Sequence, residues 1–228
     1  MPLRWLSILL LLAASGAPSV HTIIHGIEAR YQQAKTLKAT FFESYAESGG
    51  RRIAESGTVY FSHPGRMRWE YESPTVKLFL VDGTNAWFYI PDDRTASRAK
   101  VKESSDWRTP IALLAGKADL NALCQQIQLV DPAIAKGADE KPLLAGDYVL
   151  RCTPRGDSQN SDLQSVYLEV SPKYFLVRVL IRETGEVQTE FRFGNWEENI
   201  PVPEVKFHFQ PPPGVSVVNQ DELSGAIP

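Results

Sequence analysis

Between positions 59 and 91 the apolar residues gather in short runs: Val59-Tyr60-Phe61, Met67-Arg68-Trp69-Glu70-Tyr71, Leu78-Phe79-Leu80-Val81 and Ala86-Trp87-Phe88-Tyr89-Ile90. Ser62-His63-Pro64-Gly65, Glu72-Ser73-Pro74-Thr75 and Asp82-Gly83-Thr84-Asn85 separate them, and these are turn residues. Aromatic and β-branched strands joined by such turns make an antiparallel meander. Several of the strands are apolar at successive positions, so both of their faces avoid water. One face suits an ordinary core. The other requires a second layer or a ligand, and the expectation is a ligand.

Elsewhere the periodicity changes. Ile23, Ile24, Ile27, Tyr31, Ala34 and Leu37 fall at helical spacing, with Glu28, Arg30, Gln32, Gln33 and Lys35 opposite, which predicts an amphipathic helix over 22–38. Residues 38–45 then alternate as a strand, turned at Ser48-Gly49-Gly50 into a partner ending at Phe61, and 94–101 reads as a polar strand or edge. Residues 109–116 are punctuated as a short helix: Thr109 caps it, Pro110 takes its first position and Gly116 follows its end. That helix is apolar all round, so it is buried or it covers an apolar hollow. After a short helical stretch at 118–123, loops are expected over 131–146 and 154–162, and strands over 147–153, 163–170, 174–182, 186–194 and 205–210. The count is about 10–11 strands with two or three helices. The predicted class is α+β, mainly β: a curved antiparallel sheet, which at that size curls or closes, with the helices on its concave side.

Composition adds limits. The 228 residues carry a net charge of −3, with no concentrated basic face of the kind that grips nucleic acid. The N-terminus has one positive charge at Arg4, an apolar run over 5–14 and the small residues Ala14-Ser15-Gly16-Ala17, the order of a secretory signal peptide. Cleavage is expected near Ala17, which leaves 18–228 as a single domain in the export compartment. Cys124 and Cys152 are the two cysteines; in an oxidising compartment they are a disulfide or a pair of buried thiols, and no Cys-x-x-Cys spacing suggests redox or metal chemistry.

Catalytic signatures are absent from the sequence: it has no Gly-x-Ser-x-Gly, no phosphate-binding glycine loop and no His-Glu-x-x-His. His21 and His25 stand four apart but without a matching ligand cluster. His208 reads as a solvated strand position. His63, in the turn before Pro64, has no partner that would make it a base. An enzyme, a cofactor and a metal are therefore not expected. Converging apolar side chains point to binding.

Four landmarks carry a resemblance. They are His63-Pro64-Gly65-Arg66-Met67-Arg68-Trp69-Glu70-Tyr71-x-x-Pro74, then Val81-Asp82-Gly83-x-x-x-Trp87-Phe88-Tyr89-x-Pro91, then Thr109-Pro110-Ile111-x-Leu113-Leu114, and last Phe207-x-Phe209-x-Pro211-Pro212-x-Gly214-Val215. In this order the chain resembles the periplasmic outer-membrane lipoprotein carriers (LolA-like). The resemblance implies an incomplete, half β-barrel with helices lidding an apolar cavity for lipoprotein acyl chains. Met67, Trp69, Tyr71, Phe79, Val81 and Phe88 are the implied wall, and Ile111, Leu113 and Leu114 belong to the lid helix. His63 and Pro64 form the implied switch, where the family usually has arginine in place of His63 to tie the lid closed; a neutral histidine holds a backbone carbonyl more weakly. The implied partners are acylated lipoproteins, an inner-membrane ABC-type release complex and an outer-membrane acceptor lipoprotein, with the carrier acting as a monomer. The alternatives are a non-catalytic envelope scaffold or stress-sensor module of the same fold, and, more remotely, a hydrolase of apolar substrates.

Overall fold

The computed structural model describes residues 18–101, 120–137, 146–155 and 162–220. Helix α1 (Val20–Gln33) begins where the Ser19 hydroxyl accepts from the Thr22 N–H at 3.1 Å. It stops well before position 38, with Ala34 already extended, because Leu37 belongs to an alternating series with Ala39 and Phe41 in strand β1 (Thr36–Ala46). Leu37 satisfies a helical and a strand period equally, and the longer strand pattern wins.

The remaining strands are β2 (Arg52–Ser62), β3 (Arg66–Ser73), β4 (Lys77–Val81), β5 (Asn85–Ile90), β6 (Thr95–Lys100), β7 (Cys124–Leu129), β8 (Tyr148–Pro154), β9 (Leu163–Val170), β10 (Leu176–Glu183), β11 (Gln188–Glu198) and β12 (Ser216–Asn219). A short helix, α2 (Leu120–Leu123), leads into β7. All twelve described strands form one sheet in the order β12-β6-β5-β4-β3-β2-β1-β11-β10-β9-β8-β7. Its ladders are antiparallel except the last, where β12 runs parallel to β6. The sheet is open, with β12 and β7 at its edges. Cys124 and Cys152 are joined in a disulfide that ties β7 to β8.

Curvature is legible from ring contacts. Three strand spacings, about 14 Å on a flat sheet, separate β3 from β11, yet the Trp69 ring meets those of Phe191 and Phe193 at 5.9 and 6.0 Å. The inner face is therefore concave, and its residues from both halves of the sheet join one cluster with Ile23, Ile24, Ile27 and Tyr31 of α1. At Gly57, where β2 bulges, an added Cβ would lie 1.9 Å from the Glu70 carbonyl oxygen, so the close strand approach there requires glycine.

Two expectations are corrected. Residues 205–210 do not form a strand: a 3₁₀ turn (Glu204–Phe207) and an extended tail stand there, and the two strands not expected are β7 and β12. The second apolar face of the meander, Leu78, Leu80, Trp87 and Tyr89, does not face a ligand. The chain's own Phe209 covers it, with its ring 5.3 Å from Trp87 and 5.2 Å from Tyr89. Arg66 pairs with Glu204 and lies over the Phe207 ring, Arg68 donates to the Lys206 carbonyl at 3.1 Å, and Lys206 reaches Glu70 at 3.1 Å. These contacts strap 204–209 onto the outer face. On the other half, 131–137 roofs Val149, Tyr167 and Leu180 over a buried charge cluster in which Arg178 meets Glu169 at 3.0 Å and donates to the Ala135 carbonyl.

Candidate functional site

The candidate wall residues come together on the inner face through strand register: Met67 opposes Val81, Trp69 opposes Phe79, and Phe79 opposes Phe88. Alternation along β3 aims Met67, Trp69 and Tyr71 to the same side. All but the half-buried Phe88 are buried, and Trp69 is wholly so. Around Trp69 stand Phe41 at 4.8 Å, Phe61 at 6.2 Å and the two β11 phenylalanines, in edge-to-face arrangements. Ile111, Leu113 and Leu114 lie outside the described residues.

His63 and Pro64 sit exposed at one rim, and the His63 N–H donates to the Lys35 carbonyl at 3.0 Å, holding the turn to the end of α1. Beside it Tyr31, Ala34, Leu37, Phe61, Ser62 and Arg66 border a hollow of about 10 Å³, room for about one water.

The opposite end of the inner face is polar, which the sequence reading missed. Glu43 continues the Leu37-Ala39-Phe41 alternation inward, and Lys77 does the same ahead of Phe79. The Tyr71 hydroxyl donates to Glu43 Oε2 at 3.0 Å, Lys77 Nζ donates to Glu55 Oε2 at 2.6 Å, and the same ammonium lies 4.7 Å from the Tyr71 ring centre. Burial pushes the Glu43 carboxyl up to about 8, with the nearby Glu55 adding to the rise. Burial, and then Glu43, likewise raise the Tyr71 hydroxyl well above its ordinary value. The signal was present in the sequence as an acid and a lysine in register with apolar neighbours.

An open sheet of twelve described strands folded around helix α1, with an inner face that is apolar except at its Glu43–Glu55–Lys77 end, is the geometry on which comparison with known proteins bears. Residues 32–210 match the family model of the outer membrane lipoprotein carrier protein LolA. This chain belongs to the LolA family. The outer-membrane lipoprotein carrier protein of Dechloromonas aromatica (strain RCB) is 30% identical over 190 residues, 82% of each chain, and that of Chromobacterium violaceum is 27% identical over 209 residues, 92% of this chain and 93% of the other. A solved structure of an uncharacterized conserved protein from Thermus thermophilus shares the fold, at 11% identity and a TM-score of 0.55 over 89% of this chain and the whole of that one. The LolA match spans β1 to β11 and the outer strap, so both faces of the sheet fall within the family region.

Proposed function

We propose that this LolA-family protein is a periplasmic carrier that shields the acyl chains of lipoproteins and moves them from the inner to the outer membrane. The observation that carries the reading is the division of the sheet. Its outer face is roofed by the chain's own strap and ion pairs, whereas the apolar residues of its inner face are closed by helix α1. Each methylene moved into water costs roughly 0.8 kcal/mol, so an anchor of about 40 methylenes faces on the order of 30 kcal/mol in crossing an aqueous space unaided. A soluble carrier removes that barrier by exchanging protein–protein apolar contacts for protein–acyl ones. Met67 suits such a wall because its thioether adapts to irregular chains.

The partners in this reading are the acylated lipoproteins, an inner-membrane ABC-type complex that releases them and an outer-membrane acceptor, met by a monomeric carrier exported by a cleaved leader. The wall is Met67, Trp69, Tyr71, Phe79, Val81 and Phe88, with Ile111, Leu113 and Leu114 as the lid and His63-Pro64 as its switch. No described helix is long and apolar enough to cross a membrane. The test is extraction of a radiolabelled acylated lipoprotein from inner-membrane vesicles, with energised release machinery, into the soluble fraction. Wild-type protein should recover it; Met67→Glu, at the edge of the packed aromatic group, should fold and recover none. Normal extraction by that variant refutes the cavity.

A further inference from the structure

Among the described residues, two side-chain atoms of the inner face are buried without a hydrogen-bond partner. One is the indole Nε1–H of Trp69, whose residue is 0% exposed; the other is Oε1 of Glu43, 2% exposed. Buried polar atoms are paired in the large majority of cases, so each of these calls for a reason. The rings around Trp69 belong to Phe41, Phe61, Phe191 and Phe193, which offer no acceptor oxygen. At Glu43, Oε2 already accepts from Tyr71, and the nearest ammonium, Lys77, is engaged with Glu55.

What Trp69 lacks is an acceptor that arrives inside apolar surroundings. An acyl group supplies one: a carbonyl oxygen at the head of a hydrocarbon chain. We propose that the Trp69 indole N–H is a ligand donor that hydrogen-bonds the carbonyl of an ester or amide acyl linkage, and that Glu43 Oε1 engages a second linkage group at the polar end of the same face. The inference rests on the carrier reading and deepens it: the face then recognises acylation itself and not merely hydrocarbon. Burial keeps Glu43 in its acid form, so with Oε2 accepting from Tyr71 the proton resides on Oε1 and makes it a second donor. Glu55, Lys77 and Tyr71 are the titratable groups that face it.

The experiment is displacement of a fluorescent apolar probe from the full mature chain by three ligands of equal chain length: methyl palmitate, N-methylpalmitamide and hexadecyl methyl ether. A synthetic triacylated lipopeptide is the control for carriage. Wild-type protein is expected to bind the ester, the amide or both about tenfold more tightly than the ether, and the favoured one identifies the linkage. Trp69→Phe, which keeps an aromatic ring and loses the N–H, should shrink that preference, read as the ratio of ester or amide to ether binding within the variant, below about twofold. Glu43→Met should weaken the triacylated lipopeptide several-fold, and Glu43→Gln, which retains an N–H donor, should not. Equal binding of all three ligands by wild-type protein, or a preference that survives Trp69→Phe, overturns the inference while carriage stands. Failure to bind the lipopeptide at all overturns the carrier reading as well. A second measurement does not depend on the variant's folding: in wild-type protein one ¹⁵N indole N–H resonance should move downfield with the favoured ligand and stay in place with the ether, and no selective shift overturns the role of Trp69.

Discussion

Glu43 makes stability depend on pH in a direction opposite to that of most carboxylates. It lies on the inner face 2% exposed, between Tyr71 and the Glu55–Lys77 pair, and burial raises its carboxyl to about 8. In the unfolded chain the same group ionises near its ordinary value of 4.5. The folded state therefore holds a proton that the unfolded state has released. Because the folded value is the higher one, the stability associated with the acid form is complete below about pH 4.5 and drains away as pH rises toward 8. At about 1.4 kcal/mol per pH unit, the step from pH 5 to 7 removes roughly 3 kcal/mol. Glu43→Gln isolates this effect, since glutamine stays neutral and still accepts from the Tyr71 hydroxyl. Urea denaturation of both proteins from pH 5 to 9 is the assay. The two should be similarly stable at pH 5, and the wild type should fall below the variant by roughly 3 kcal/mol at pH 7. Parallel curves would show that Glu43 titrates as an ordinary exposed acid, and the desolvated inner-face cluster would be refuted with it.

Further outcomes follow from packing and from chain connectivity. Lys77→Met strands the buried Glu55 carboxylate beside Glu43 and should lower stability by about 3 kcal/mol, whereas Lys77→Met with Glu55→Met should recover most of that loss in urea melts. Gly26→Ala should destabilise: helix propensity favours alanine by about 1 kcal/mol, but its Cβ would stand 2.6 Å from the Tyr174 ring, and overpacking costs about 1–3 kcal/mol; a Tm above wild type would show that the ring yields freely. Opening the Cys124–Cys152 disulfide, which spans 28 positions, should cost about 3.6 kcal/mol on chain-entropy grounds; thermal melts with and without reductant measure it, and coincident melts would contradict it.

The sequence revealed the meander, the second strand group and the apolar inner face because alternation and turn residues agree there. Met67, Trp69 and Tyr71 repeat every second position between a Pro-Gly turn and a Ser-Pro turn, which leaves little room for another reading. The end of α1 was less legible, since Leu37 fits two periods. Residues 205–210 misled because Phe207 and Phe209 alternate as in a strand, although they serve as separate plugs on the outer face. β12 was hidden for the opposite reason: all four of its residues are exposed, so it carries no amphipathic pattern and is held by backbone bonds such as that from Ser216 N–H to the Arg94 carbonyl at 2.9 Å. Glu43 and Lys77 escaped because a charged residue in a strand reads as solvent-facing until its register partners are known.

The two faces of the sheet are closed by different kinds of force. The outer strap is directional: Arg66, Arg68 and Lys206 each meet a specific oxygen, and a hydrocarbon chain replaces none of those bonds. The inner closure is mixed along α1. Near its C-terminal end the Tyr31 hydroxyl accepts from the Leu176 N–H at 2.9 Å, and Arg30 pairs with Glu198 while lying over the Phe175 ring. Its first two turns contribute Ile23, Ile24 and Ile27, whose contacts are apolar and carry no geometric demand. The N-terminal half of α1 is thus held to the sheet by apolar packing, whereas its C-terminal half is also fixed by directional bonds.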